Sequence, residues 1–127
     1  MKPEMEQLLR ELGQVSGINC VIQNEGATSE LFFNHPEQMK VGFLDGWGTY
    51  ESPDFHIHFR CNDLDTVRFI DGPGECIERS TYLMIYDNAG VERLRFYFPN
   101  STDTSRPYSD EELALFDRFK ERYGHFW

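Results

Sequence analysis

Met5, Leu8, Leu9 and Leu12 recur at i, i+3, i+4 and i+7. That spacing lays one apolar stripe along a helix over 3–12, closed by Gly13. Beyond Gly17 the hydrophobic period shortens to that of strands. Short apolar or alternating runs follow at 18–22 (INCVI), 30–33 (ELFF), 41–44 (VGFL), 47–50 (WGTY), 54–60 (DFHIHFR), 66–70 (TVRFI), 80–86 (STYLMIY) and 91–98 (VERLRFYF). Turn chemistry separates them: Asp45-Gly46, Asp71-Gly72-Pro73-Gly74 and Asp87-Asn88-Ala89-Gly90. The last of these predicts a hairpin loop with glycine supplying a positive φ. The polar stretch 100–107 (NSTDTSRP) predicts a surface loop. Near the C-terminus, Ser109 and Glu112 form a capping box, with Asp110 and Glu111 at the positive end of a helix. Leu115, Phe116, Phe119 and Tyr123 make its apolar face.

Strands in succession without intervening helices predict an α+β fold. Its centre is a large antiparallel β-sheet of about seven strands, with N- and C-terminal helices covering one face or one end. No repeat or low-complexity segment divides the chain, so its 127 residues predict a single domain over 1–127. Aromatic residues make up 15% of them, enough to build a core without disulfides.

Charge narrows the partners. Twelve basic against 22 acidic residues leave a formal net charge of −10. This argues against nucleic acid and against an anionic membrane as partners. A local basic pocket remains compatible with it. The N-terminal MKPEMEQLLRELG has no apolar core of a leader, and no apolar run is long enough to span a bilayer. Cys20, Cys61 and Cys76 are odd in number, widely spaced and free of CxxC. They predict a reduced, cytoplasmic protein without structural zinc.

The candidate chemistry centres on Phe55-His56-Ile57-His58-Phe59. Alternation puts the three apolar residues on one face of a strand and both histidines on the other. Three readings are open for the histidine face: a solvated polar surface, a metal held by both imidazoles, or haem iron held by one and tuned by the other. His35 sits in a turn and His125 near the chain end, so neither spacing recommends a ligand. Arg93 and Arg95 share a strand face with Tyr97, and Arg68 alternates with Val67 and Phe69. Guanidinium forks suit carboxylates, including haem propionates, or the acids of a solvated sheet. Tyr82, Met84 and Tyr86 oppose Leu83 and Ile85, so both faces of that strand are largely apolar. Core packing, a ligand pocket or a partner chain would each account for it. No GxSxG, P-loop or GxGxxG occurs.

The run over 55–98 resembles the core of the haem-utilisation carrier family of ChuX/HutX type, related to HemS/ChuS. The matching pieces are His56-Ile57-His58, then Val67-Arg68-Phe69-Ile70, then Tyr82-Leu83-Met84-Ile85-Tyr86-Asp87, Gly90, and Leu94-Arg95-Phe96-Tyr97. The resemblance implies a cytoplasmic haem-binding protein, a homodimer, that receives haem after uptake and holds or passes it on. By matching position His58 would ligate iron, with His56 second, and Arg95 or Arg68 would meet a propionate. It implies a carrier before an enzyme. The alternatives are a haem-degrading enzyme fed by an external electron donor, and a module for another ligand or partner that keeps the fold.

Overall fold

The apolar stripe becomes helix α1 (Pro3–Leu12), and Met5, Leu8, Leu9 and Leu12 are all fully buried. Pro3 stands in the first turn, where its missing N–H has no helical partner to lose. Gly13, the C-cap, stands where no side chain would fit. An added Cβ would lie 2.8 Å from Val41 Cγ2 and 2.9 Å from Tyr50 Cε1. The computed structural model describes residues 1–73, 79–100 and 107–124. Cys76, His125 and most of the polar stretch 100–107 lie outside the described residues.

Eight strands follow: β1 (Asn19–Asn24), β2 (Ala27–Phe32), β3 (Lys40–Leu44), β4 (Trp47–Glu51), β5 (His56–Arg60), β6 (Leu64–Gly72), β7 (Ser80–Asp87) and β8 (Glu92–Tyr97). Helix α2 (Asp110–Tyr123) closes the fold. The α+β class and the large antiparallel sheet are as the sequence predicts, but the strands divide between two sheets. Five take the order β2-β1-β8-β7-β6 and three take the order β3-β4-β5. Every pairing is antiparallel. The division arises in the connection from β2 to β3, where buried Phe33 and a 3-10 turn (Pro36–Gln38) lead the chain out of the first sheet. Strand β1 then pairs on its free side with β8, which completes the large sheet without β3.

The inner face of the large sheet carries a continuous row from β1 to β6: Cys20, Phe96, Leu83 and Phe69. The small sheet turns Val41, Tyr50 and Ile57 toward the same core. Helix α2 adds Phe116, which packs against Phe69 and Phe98 at ring separations of 5.9 and 5.2 Å. Its capping box forms as the sequence predicts, with the Glu112 N–H donating to Ser109 Oγ and the Ser109 N–H to the Glu112 carboxylate. The two helices meet through Glu11, which accepts from the Tyr123 hydroxyl and pairs with Arg122 at 2.7 Å.

Two turns set the registers. Asp45 and Gly46 have φ of 53° and 80°, so the β3–β4 loop is of type I′, whose twist matches that of the flanking strands. In the β7–β8 loop the buried Asp87 carboxylate accepts from the Val91 and Ala89 N–H groups, each at 2.9 Å, and from Arg93 Nε at 2.8 Å. The Val91 N–H, then Arg93 and the Ala89 N–H, hold this carboxyl below the usual aspartate range against its desolvation. The ionised form therefore favours the folded state above the ordinary aspartate pKa. That contribution fades as pH falls through the lower folded value. In urea melts at stepped pH, Asp87→Asn is expected to be less stable than wild type at neutral pH. It should also lose less stability below about pH 4, the ordinary aspartate range. Gly48 offers a second check, because a Cβ there would lie 2.5 Å from the Phe59 ring. Gly48→Ala is expected to cost about 1–3 kcal/mol in the same melts, as overpacking does elsewhere.

Candidate functional site

Strand alternation leaves the other face of the three-stranded sheet outside the core. Its residues stand in three cross-strand rows: Lys40, Glu51 and His56; Gly42, Thr49 and His58; Leu44, Trp47 and Arg60. His56 and His58 are exposed, as the alternation predicts, and their rings meet edge to face at 4.6 Å. Thr49 stands directly opposite His58, with its Oγ1 2.8 Å from His58 Nδ1. Leu44 is 77% exposed and Trp47 47% exposed, on the same face. The Arg60 guanidinium lies 5.7 Å from the Trp47 ring centre. A Cβ added at Gly42 would meet nothing within 4 Å. The result is a shelf with two imidazoles, two uncovered apolar side chains, a gap at Gly42, Arg60 at one end and Lys40 beside Glu51 at the other.

The sequence singles out both histidines and misses the rest of this shelf. Thr49, Gly42, Trp47 and Leu44 carry no motif. A two-residue loop at Asp45-Gly46 pairs Leu44 with Trp47 and Gly42 with Thr49. Placing that pair beside His58 requires the β4–β5 register as well.

Arg68 and Arg95, the other candidates, share a row with each other and not with the histidines. They share a row on the outer face of the large sheet: Val21, Arg95, Met84, Arg68. Both sheets turn their inner faces to one core, so this outer face and the histidine shelf lie on opposite sides of the chain. Arg95 is also fully engaged. It bonds Glu92 through Nε at 2.7 Å and through Nη2 at 3.1 Å, bonds the Tyr97 hydroxyl at 3.1 Å, and lies over the Tyr82 and Tyr97 rings. Glu92 above all, then Tyr97, keeps it firmly protonated against its partial desolvation. Within one chain, then, Arg95 is engaged inside the large sheet, and the basic residues on the histidine face are Lys40 and Arg60.

The remaining candidates are quiet. His35 bridges Glu37 and Asp54 at 3.5 and 3.6 Å, on the half-exposed turn predicted for it. Cys20 and Cys61 are free and buried, and burial pushes both thiols up, away from the reactive thiolate. Among the described residues no group of three or more His, Cys, Asp or Glu side chains is placed to hold a bare metal ion. No helix among them is long and apolar enough to cross a membrane.

A family model matches residues 6–125. The haem-binding protein ChuX superposes on 94% of this chain with a TM-score of 0.74 at 9% identity, and 72% of ChuX is covered. The chain belongs to the ChuX/HemS-like family. Two longer structures of this family also align. Holo-PhuS, a haem-binding protein from Pseudomonas aeruginosa, does so over 92% of this chain with a TM-score of 0.64 at 16% identity. ChuS, described as an E. coli haem oxygenase, does so over 91% with a TM-score of 0.62 at 16% identity. The chain spans 32% of PhuS and 33% of ChuS. No curated protein matches it at the sequence level. At these identities the ChuX/HemS-like fold is shared, while the shelf residues have to be argued from their own chemistry.

Its commitments inside the large sheet give Arg95 a measurable signature. Arg95→Ala is expected to lower stability by about 1 kcal/mol or more in a urea melt, through lost charge-assisted bonds and lost packing on Tyr82 and Tyr97.

Proposed function

We propose that this protein binds haem on the open face of the three-stranded sheet, with His58 as the axial iron ligand and His56 as the alternative. The observation that carries this reading is His58 itself: an exposed imidazole, anchored through one nitrogen, beside uncovered Leu44 and Trp47. The residues fit the group. Porphyrin iron brings four nitrogens of its own and needs only one or two more donors, which a strand imidazole can supply. Leu44 and Trp47 offer apolar contact to a macrocycle, and the absence of a side chain at Gly42 lets a flat molecule approach the sheet. Arg60 and Lys40 stand at opposite ends of the face and suit propionates, the role the sequence had suggested for Arg95 and Arg68. ChuX and PhuS, which share the fold, are named as haem-binding proteins, and this supports the same reading.

Holding and handing on haem fits this shelf better than degrading it. A ligand on an exposed face can be passed to a partner surface, whereas oxidative cleavage profits from a site closed to water. The free, buried Cys20 and Cys61 suit a reducing compartment, and the cytoplasm is the one we propose. A homodimer is the matching assembly, with the outer face of the large sheet as its contact. Tyr82, Tyr97 and Met84 cluster there, and Phe32 is 44% exposed at its edge. A second copy would add cover to this partly exposed aromatic surface.

Haem titration of the apo-protein tests the site. Wild type is expected to give a saturable Soret shift at one haem per chain, and His58→Ala to lose it. Gly42→Leu adds a side chain where the fold has space, so it should leave the thermal melt unchanged while blocking haem. A Soret band of the same position and affinity in wild type and His58→Ala would remove His58 from the site.

A further inference from the structure

The Thr49–His58 contact has a chemical meaning beyond holding a side chain still. The two residues face each other across β4 and β5, and their 2.8 Å separation is that of a good hydrogen bond. A neutral imidazole carries one proton, so this bond exists in two forms. If the Thr49 hydroxyl donates, Nδ1 is the acceptor and Nε2 carries the proton. If Nδ1–H donates to Oγ1, Nε2 keeps its lone pair. Only the second form presents a metal-binding nitrogen on the shelf. His56 packs its ring against His58 at 4.6 Å, so the imidazole is confined on a second side.

We infer that Thr49 is a positioning residue that holds His58 as the Nδ1–H tautomer and thereby makes Nε2 the nitrogen offered to iron. The inference deepens the haem reading and rests on it for the identity of the metal, but the tautomer is a property of the protein alone. Ligand imidazoles of metal sites commonly donate their second N–H to a protein acceptor, which fixes the ring and raises its basicity. Here the acceptor is a hydroxyl. A threonine on a strand is well suited to the task, because its β-branched χ1 is stiff and keeps Oγ1 aimed across the pair.

The test needs no haem at first. Long-range proton–nitrogen NMR on labelled apo-protein, at a pH where the ring is neutral, reports which nitrogen of His58 is protonated. Wild type and Thr49→Ser are expected to show Nδ1–H. Thr49→Val, nearly isosteric and without the hydroxyl, is expected to lose that preference. An Nε2–H pattern in wild type, or an unchanged pattern in Thr49→Val, would overturn the assignment. With haem added, Thr49→Val should bind about 10–100-fold more weakly than wild type, as loss of an outer partner does in metal sites. Thr49→Ser should restore the affinity, and equal affinity in all three would overturn the role in haem binding. If wild type shows Nδ1–H yet gives no saturable Soret shift, the haem reading fails and the tautomer assignment stands, so the two failures are separable.

Discussion

Everything about the orientation of this molecule depends on one aromatic joint between the two sheets. Phe33, at the start of the connection from β2 to β3, lies 5.2 Å from Tyr50, 5.6 Å from Phe55 and 6.3 Å from Phe96. Tyr50 in turn meets Phe59 at 5.4 Å and Phe96 at 6.2 Å. These rings come from both sheets and from the segment that joins them. The joint also contains a polar constraint, since the fully buried Tyr50 hydroxyl must find an acceptor and donates to the Leu9 carbonyl in α1. That carbonyl lies in the last turn of the helix, where its helical partner is already Gly13 N–H. One side chain thus ties the small sheet to the large one through its ring and to the last turn of α1 through its hydroxyl.

Because the joint turns the inner face of β3, β4 and β5 inward, their other face is forced outward. The histidine shelf is a consequence of that orientation and of strand alternation together. The outer face of the large sheet has the opposite character. Its central arginine is spent on Glu92, Tyr97 and stacking against two tyrosines. One outer surface commits its central arginine internally, and the other presents imidazoles with room beside them.

Much of the architecture is legible from local pattern. Both helices, the capping box at Ser109 and Glu112, and the hairpins at Asp45-Gly46 and Asp87 to Gly90 follow from periodicity and turn chemistry, which act over a few residues. Strand edges drift by one to three residues, as in β2, which begins at Ala27 where the apolar run begins at Glu30. The extra residues Ala27 to Ser29 are polar or small and exposed, and they are strand only because β1 offers them hydrogen-bond partners. The division into two sheets has no local signal at all. It depends on β1 choosing β8, a partner more than seventy residues away in the chain.

The site divides along the same line. That His56 and His58 share a face opposite Phe55, Ile57 and Phe59 was determined by sequence alone, because the two-residue period of a strand permits nothing else. That Arg68 and Arg95 share a face is likewise implicit in their strands' alternation, but which face, and on which side of the molecule, is not. Only the tertiary structure decided that these arginines turn away from the histidines, that Thr49 stands against His58, and that Gly42, Leu44 and Trp47 border it. Alternation assigns a side chain to one of two faces. Which face meets solvent, and what lies across from it, is decided by strand pairing and by the aromatic joint, whose members are distant in the chain and carry no mark of one another.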